Sequence, residues 1–335
     1  MSLILEDVLS PLDKDLRRCI EHIARACAQV GCAAWNRTVA GTLKPTDVDL
    51  DIFGTSSAFS FWQIADAVRS GRTEKIATSN TFGDEQLEID VFADKILFDE
   101  LRASGVVATA SSEEVPTENR LGDGSYSVAF DPLDGSSVIG TNFSVGTIFG
   151  VWPGTSLLNR TGRELVVGGC AVYGPRTTIS IAIKSLPAME LILKDDKWLK
   201  TREFSTISEG KLFAPGNLRA SQSHAGYNEL ITYWLTNKYT LRYTGAMVPD
   251  LNQLLIKGKG VFCNPSTASA PAKLRLLYEC APLAYLFERS GGRTSDGEKS
   301  LLDVPISALD VRTQVCYGSK EEVERFEKLV GPAGS

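Results

Sequence analysis

The chain has 335 residues, of which 43% are apolar and 23% are charged, the proportions of an ordinary soluble globular protein. This length predicts two domains, or one large unit with two layers of sheet, and is sufficient to bury a core without disulfides. The net charge of −6 and the pI of about 5.2 argue against a broad surface for nucleic acid or an anionic membrane. An anionic substrate would therefore be held by local cations and metal ions.

The seven cysteines are scattered, and no CxxC pair occurs among them, so neither a zinc ribbon nor a dithiol redox motif is indicated. The first residues, MSLILEDVLSPLDKDL, contain neither the basic region nor the cleavable apolar core of a targeting peptide. No apolar run reaches the roughly 18 residues of a membrane span. These features predict a cytoplasmic protein with reduced thiols. A plastid location is the alternative if a presequence has been removed.

The first hundred residues are predicted to be mainly helical. One helix begins near Ser10-Pro11 and continues with apolar residues at helical spacing. A second is predicted over 57–69. A third is predicted after Gly83, within DEQLEIDVFADKILFDELRASG.

After the loop SSEEVPTENRLGDG, the hydrophobic pattern changes from helical spacing to that of strands. Apolar or alternating runs predict strands in SYSVAF, SVGTIFGVW, ELVVGGCAVYG and TTISIAIK, a hairpin of MELILKDD with KWLKTREF, and later strands at 259–263 and TQVCYGS. Helices are predicted at 227–237, in KLRLLYECAPLAYLFERSGG and in EEVERFEKLV. This order predicts two tightly packed α/β domains, 1–186 and 187–335, with the functional site at their interface.

The most informative local pattern is Asp131-Pro-Leu-Asp134-Gly-Ser-Ser at the end of a predicted strand. Proline and glycine fix the turn between the two carboxylates. Mg²⁺ prefers oxygen ligands, often one or two carboxylates with phosphate oxygens and water. A rigid turn of this kind can hold metals through its carboxylates, while backbone N–H groups and Ser136 or Ser137 meet a phosphate.

Further acidic residues support a metal site. Glu113 and Glu114 precede the turn in a loop, and Asp84 and Asp90 flank the start of the third predicted helix. Asp84 by itself could equally be a helix cap. Glu279 lies in an apolar segment, where a carboxylate is costly to bury unless it is paired or bound to metal.

The chain resembles the family of fructose-1,6- and sedoheptulose-1,7-bisphosphatases. The resembling segments run in unbroken order from about residue 80 to residue 320: FGDEQLEIDVFADKILF, SSEEVP, SVAFDPLDGSSVIGTNFSVGTIFGVWPG, YGPRTT, APGNLRA, YTLRYTGAMVPDLNQ, KLRLLYECAPLAYLFERSGG and RTQVCYGS. SEEVP, NFSVGTIFGVWPG, YGPRTT and GNLRA are more similar to the sedoheptulose branch. The resemblance implies a layered α/β sugar-phosphatase fold with five layers, αβαβα.

The resemblance also implies roles for matching positions. The metal ligands would be Asp84, Glu113, Asp131, Asp134, Glu279 and the carbonyl of Leu133. Asp90 and Glu114 would help to position and deprotonate the attacking water, and Asp134 would complete the catalytic set. The cradle for the cleaved phosphate would be Asp134, Gly135, Ser136 and Ser137. Contacts to the sugar and the distal phosphate would come from Asn217, Arg242, Tyr243, Met247, Asn264, Lys273 and Arg275.

The implied activity is hydrolysis of the 1-phosphate of sedoheptulose 1,7-bisphosphate by metal-activated water, with two to three Mg²⁺ per site and Mn²⁺ as an alternative ion. Fructose 1,6-bisphosphate, or dual use of both sugars, is the near alternative. An inositol-phosphate or nucleotide phosphatase and a non-catalytic sugar-phosphate sensor are distant ones. The implied assembly is a homo-oligomer, either dimer or tetramer, in which Arg242 can reach a neighbouring subunit's site. Neither nucleic acid nor membrane is an expected partner.

Departures from the family pattern concern specificity and regulation. Asn264 stands where the fructose enzymes carry tyrosine, and the smaller side chain would leave room for a seven-carbon sugar. Thr73 and Thr78 occupy the positions of the plastid regulatory cysteines, so control through that pair is not expected. Ser125 and Pro153 remove most of the charge of the vertebrate-type AMP site, so AMP inhibition is not expected either.

Overall fold

The computed structural model describes residues 3–35, 75–79 and 85–333. Its first half contains, in chain order, α1 (Leu5–Leu9), α2 (Lys14–Trp35), β1 (Lys75–Ser79), β2 (Glu85–Leu87), α3 (Glu88–Ser104), β3 (Val107–Ser112), β4 (Asn119–Arg120), β5 (Tyr126–Asp134), α4 (Ser136–Ile139), β6 (Val145–Pro153), β7 (Val167–Tyr173), β8 (Thr177–Ile183), β9 (Ala188–Lys194) and β10 (Lys197–Phe204).

The second half contains β11 (Ser208–Pro215), α5 (Ala225–Thr236), β12 (Thr240–Leu241), α6 (Met247–Lys257), β13 (Lys259–Asn264), α7 (Ala281–Arg289), β14 (Arg293–Ser295), β15 (Val315–Gly318) and α8 (Lys320–Leu329). Short 3₁₀ turns occur at Gly162–Glu164, Leu218–Gln222 and Leu301–Asp303, and a π turn at Leu276–Cys280 leads into α7.

Two sheets organise these elements, apart from the small β1–β2 pair. The first has eight strands in the order β10-β9-β8-β7-β6-β5-β3-β4, and the second has five in the order β12-β11-β13-β15-β14. Among the described strands of the first sheet, β3 and β5 form the only parallel pair. The central strands β6 and β7 are buried along nearly their whole length, because helices cover both faces. Their sequences are accordingly near-continuous apolar runs rather than alternating ones.

The layers follow from which helix packs on which sheet. α2 and α3 cover one face of the first sheet, α6 and α7 lie between the two sheets, and α5 and α8 cover the outer face of the second. Three apolar clusters fill the spaces between these layers. The expected αβαβα architecture is therefore confirmed.

The change from one sheet to the other occurs between Phe204 and Ser208. The boundary predicted at residue 186 falls between β8 and β9, which are hydrogen-bonded neighbours in the first sheet. The hairpin of β9 and β10 was predicted correctly as a hairpin, but it extends the first sheet. We therefore propose 205–207 as the division between the two units.

Several predicted helix boundaries shift. The helix predicted after Gly83 begins at Glu88, since 85–87 pair with β1 as a short strand. The long helix predicted in KLRLLYECAPLAYLFERSGG begins with the π turn at Leu276. The helix predicted over 57–69 lies outside the described residues.

Helix α2 approaches the first sheet closely at Gly31. A Cβ on this residue would lie 2.7 Å from Cγ2 of Thr177, so only glycine permits the contact. The helix continues unbroken to Trp35, and Cys27 within it is fully buried, which raises the pKa of its thiol to about 12. Cys27 is therefore a core residue with little thiolate character.

Candidate metal and phosphate site

Three carboxylates predicted as metal ligands lie together. Single carboxylate oxygens of Glu113, Asp131 and Glu279 lie within 4.8 Å of one another. Glu113 follows β3 and Asp131 belongs to β5, and the parallel register pairs Ser112 with Phe130 at the ends of these strands. The amide of Glu113 donates to the carbonyl oxygen of Phe130 at 3.1 Å. Parallel pairing therefore places both acids at one edge of the sheet.

Glu279 comes from the other half of the chain. It lies in the π turn, which packs against β5 and β6. Its Oε2 accepts a hydrogen bond of 2.6 Å from the amide of Arg275 at the start of the same turn. This bond fixes the side chain's direction, so the cluster is assembled across the two units.

Burial makes it costly to keep the carboxylates of this cluster charged. Burial, and next the neighbouring charges of Asp134 and Glu279, raise the pKa of Asp131 well above its usual value. Burial chiefly raises the pKa of Glu279 to about 7. The Arg275 guanidinium is itself buried and forms an ion pair with Glu113. Three clustered carboxylate oxygens suit a hard divalent cation such as Mg²⁺, which would offset their mutual repulsion, so the residues present fit the implied metal.

Asp134 is directed toward a helix terminus. Its Oδ2 accepts a hydrogen bond of 2.6 Å from the amide of Val248, and its Oδ1 accepts one of 3.2 Å from the amide of Met247. Both amides belong to the first turn of α6, where N–H groups lack partners within the helix and favour an anion. Burial outweighs these bonds and raises the pKa of Asp134 to about 6. Asp134 thus joins the DPLDGSS turn to the second unit.

The backbone of the DPLDGSS turn is tightly constrained. The amide of Leu133 donates to Oδ1 of Asp131 at 2.9 Å, a local bond typical of turns that contain aspartate. Gly135 has φ +85°, and a Cβ there would lie only 2.5 Å from Cβ of Ala246. Ser136 and Ser137 begin the short helix α4 and are half-buried and exposed, respectively. Their predicted role in a phosphate cradle stays a prediction.

Two acids were predicted to position the attacking water and accept its proton. Asp90 is buried near the start of α3, and Glu114 is half-buried directly after Glu113. Asp84, the fifth predicted carboxylate ligand, lies outside the described residues. The roles of Asp90 and Glu114 therefore remain predictions, and so does the carbonyl of Leu133 as a ligand.

Two of the predicted sugar contacts meet at neighbouring strand ends. Asn217 follows β11 and Asn264 ends β13, and these strands run parallel with Pro215 opposite Cys263. The Nδ2 group of Asn217 donates to the carbonyl oxygens of Pro265 and Ala270 at 2.8 and 2.9 Å. Its side-chain oxygen is the remaining polar atom that a ligand could use.

The other predicted sugar contacts divide into two groups. Arg242 and Tyr243 are exposed in the loop before α6, and Lys273 is exposed as well. Met247 is buried, and its amide contacts Asp134. Arg275 lies at the acidic cluster with Glu113 rather than on the exposed surface with Lys273.

Two buried acids near the site were not predicted from the sequence. Asp250 is fully buried in the first turn of α6, and Asp94 is buried one helical turn after Asp90. Burial raises the pKa of Asp250 to about 6 and that of Asp94 to about 7. The available signal was an aspartate within an otherwise apolar helical stripe, as in TGAMVPDLNQLLIK.

The fold and the acidic cluster define a layered α/β protein with a candidate divalent-metal site. The family model described as the fructose-1-6-bisphosphatase N-terminal domain matches residues 46–199, and that of the C-terminal domain matches 206–331. The chain therefore belongs to the fructose-1,6-bisphosphatase family.

Individual relatives agree with this assignment. A chloroplastic sedoheptulose-1,7-bisphosphatase of Spinacia oleracea is 56% identical over 62% of this chain, a match that spans 54% of the relative's own length. One from Chlamydomonas reinhardtii is 53% identical over 80% of this chain and 70% of its own. A class 1 fructose-1,6-bisphosphatase of Syntrophotalea carbinolica is 37% identical over 80% of this chain and 84% of its own.

Solved structures of the family share this fold. A Toxoplasma gondii protein assigned as a sedoheptulose-1,7 bisphosphatase superposes with a TM-score of 0.81 at 34% identity, covering 98% of each chain. The holo form of Leishmania major fructose-1,6-bisphosphatase superposes with a TM-score of 0.82 at 25% identity, covering 98% of this chain and 99% of its own.

Proposed function

We propose that this protein is a Mg²⁺-dependent sugar bisphosphatase that hydrolyses the 1-phosphate of sedoheptulose 1,7-bisphosphate, giving the 7-phosphate and inorganic phosphate. The observation that carries the proposal is the cluster of half-buried Glu113 with buried Asp131 and Glu279, whose oxygens lie within 4.8 Å of one another, in a member of this family. The preference for seven carbons draws on the higher identity to sedoheptulose enzymes, 56% against 37% for a fructose enzyme.

The residues divide the reaction between them. Glu113, Asp131 and Glu279 would hold the metal, with Asp134, Asp84 and the carbonyl of Leu133 as further ligands. Bound Mg²⁺ supplies charge neutralisation and lowers the pKa of a coordinated water. Asp90 and Glu114 would orient that water and accept its proton. Residues 134–137 would hold the transferring phosphate in line with the water and the leaving sugar oxygen.

The distal end of the substrate would lie between the two units' loops. Asn217, Arg242, Tyr243, Met247, Asn264, Lys273 and Arg275 would contact the sugar and its second phosphate. Asn264 would leave space that tyrosine fills in the fructose enzymes. The ion pair of Arg275 with Glu113 gives this arginine a second role, compensating charge among the metal ligands.

Assembly and location are part of the proposal. Leu241 and Tyr243 are 54% and 45% exposed beside the exposed Arg242, which favours a homodimer or homotetramer in which this loop meets another subunit. Light scattering at micromolar concentration tests that assembly. Within the described residues, none of the helices has both the length and the apolar character needed to cross a bilayer. A cytoplasmic or a plastid location is compatible with the relatives, and imaging a tagged full-length protein distinguishes them.

The deciding experiment is phosphate release from sedoheptulose 1,7-bisphosphate and from fructose 1,6-bisphosphate, each with Mg²⁺ and with a chelator. The expected result is metal-dependent release with the higher kcat/KM for the seven-carbon sugar. Equal or reversed preference would move the protein to the dual or fructose branch. No release from either would favour the non-catalytic sensor, and release only from inositol phosphates or nucleotides would favour that distant class. Glu279→Gln should lose activity, whereas Glu298→Gln, an exposed control, should keep it.

A further inference from the structure

Asp250 organises the chain that precedes helix α6. The residue is fully buried, and its two carboxylate oxygens accept hydrogen bonds from successive backbone amides. Oδ1 accepts from Thr244 at 2.8 Å, and Oδ2 accepts from Gly245 at 3.3 Å. The Thr244 side chain also hydrogen-bonds to this carboxylate. A buried carboxylate that accepts from successive backbone amides fixes those amides in direction. Asp250 therefore fixes the turn that directly follows Arg242 and Tyr243.

The same helix terminus holds Asp134 of the DPLDGSS turn. The amides of Met247 and Val248 donate to Asp134, just beyond the two amides that donate to Asp250. Between these pairs, the amide of Ala246 donates to Oγ1 of Thr244 at 3.3 Å. Five backbone amides in a run of five residues are thus directed by two carboxylates and one hydroxyl.

Residues 244–248 pack closely against the DPLDGSS turn. At Gly135, even a methyl group would come within 2.5 Å of Cβ of Ala246. Neither turn can therefore move toward the other, and a displacement of 244–248 would displace the carboxylate of Asp134. Tyr243 directly precedes residues 244–248, and Asp134 is hydrogen-bonded to the amides at the other end of this segment.

We propose that Asp250 is a positioning residue that couples the sugar-binding loop to the phosphate and metal end of the site. It holds residues 244–248 in the one conformation that presents Tyr243 and Arg242 to the sugar while the amides of Met247 and Val248 orient Asp134. This inference rests on the proposed function, because it assigns those residues to substrate and metal. It adds a residue that contacts neither.

Asp250→Asn tests the coupling with little change in shape. The amide would keep one neutral acceptor for Thr244 but place a donor opposite the amide of Gly245, so one hydrogen bond is lost and the other loses its charge. We expect KM for the bisphosphate to rise about tenfold, the factor that such a bond is typically worth. The Mg²⁺ concentration for half-maximal activity should rise as well, since Asp134 loses its fixed direction.

Glu322→Gln is the matched control. Glu322 is likewise fully buried and accepts hydrogen bonds, from Trp234 and Tyr239, but it lies on α8 at the outer face of the second sheet. A merely structural role for Asp250 predicts that both variants lower the melting temperature and leave KM and the Mg²⁺ dependence unchanged. That result would overturn the inference.

Hydrogen exchange gives a readout that does not depend on catalysis. In the Asp250→Asn protein, the amides of Met247 and Val248 should exchange faster together with those of Thr244 and Gly245, although only the latter pair contacts Asp250. Faster exchange confined to Thr244 and Gly245 would overturn the coupling. If the variant does not fold, hydrogen exchange of the wild-type protein still tests the coupling. The coupling predicts that the amides of Thr244, Gly245, Met247 and Val248 share one level of protection. A wild-type protein that releases no phosphate would refute the proposed function alone, since exchange still tests the coupling.

Discussion

Arg275 forms an ion pair with Glu113 inside the acidic cluster, and both residues were predicted to contact something else. The guanidinium is buried, and a cation in this position reduces the repulsion among Glu113, Asp131 and Glu279. A bound Mg²⁺ would serve the same electrostatic purpose. Arg275 and a bound metal ion would therefore act on the same set of negative charges.

Replacing this arginine should make stability depend more strongly on metal. Arg275→Met leaves the clustered carboxylates without their nearest cation, so we expect a lower melting temperature in chelator. Mg²⁺ should then raise the melting temperature by about 1–2 °C more than in the wild type, the shift that roughly 1 kcal/mol produces in a protein of this size. Arg163→Met is the control, since Arg163 pairs with Glu288 and Asp303 on the surface. The prediction would be contradicted if Mg²⁺ raised the melting temperature equally in the wild type, Arg275→Met and Arg163→Met.

Stability should fall with rising pH because of Asp94. The folded protein raises the pKa of this carboxyl from 3.8 to about 7, mainly through burial. A raised pKa means that the folded state binds the proton more tightly, so its contribution to stability is full below about pH 4 and is lost as the pH rises through 7. Asp94→Asn should remove this loss and raise the free energy of unfolding by up to roughly 4 kcal/mol at pH 8, since each of about three pKa units corresponds to about 1.4 kcal/mol.

Urea denaturation in chelator at pH 5 and pH 8 measures the effect of Asp94. Asp99→Asn is a suitable control, because Asp99 lies on the same helix but is 53% exposed and pairs with Lys95 and Arg102. The two variants should differ at pH 8 and agree much more closely at pH 5. If the free energy of unfolding of Asp94→Asn depended on pH as in the wild type, the buried carboxyl would not be the source of the loss of stability.

Gly135 should tolerate no side chain. Gly135→Ala combines the cost of a left-handed backbone with the overlap against Ala246, which together should lower the free energy of unfolding by roughly 2–4 kcal/mol. The double variant Gly135→Ala with Ala246→Gly removes the overlap but not the backbone cost. Denaturation should therefore show it to be more stable than Gly135→Ala alone and less stable than the wild type. A double variant no better than the single one would mean that the overlap is relieved in another way.

Asn264 should control the size of the accepted sugar. Its side chain lies over Gly216 beside Asn217, so a larger group there would narrow the distal end. Asn264→Tyr should lower the ratio of kcat/KM for the seven-carbon over the six-carbon bisphosphate. Asn264→Ala keeps the space but lacks the amide, so it should keep the preference if space is the cause. An unchanged ratio in the tyrosine variant would refute this explanation.

Much of the candidate site could be predicted from local sequence. DPLDGSS and SSEEVP each contain their acids, turn residues and flanking strand within a few positions, so the local pattern indicates a metal site, and the family resemblance implied the role of each residue. Glu279 was predicted because a carboxylate in an apolar segment needs a partner. The structure brings Glu113, Asp131 and Glu279 together.

Relations between distant segments could not be predicted in this way. The bonds from Met247 and Val248 to Asp134, and the pairing of Arg275 with Glu113, depend on how the two units dock. Helix α6 was missed although Pro249 lies in its first turn, a common position for proline. Strand β11 was missed because its first residues, SEGK, are polar.

The position of Glu279 limits how gene segments of such a protein can recombine. The two family models meet between residues 199 and 206, which is the obvious place for gene segments to be exchanged between relatives. Glu113 and Asp131 are encoded on one side of that junction, whereas Glu279 and the amides that hold Asp134 are encoded on the other. A recombinant gene would therefore inherit two of the three clustered carboxylates from one parent and the third from the other. We expect the two segments to have been retained as a pair rather than shuffled as independent modules.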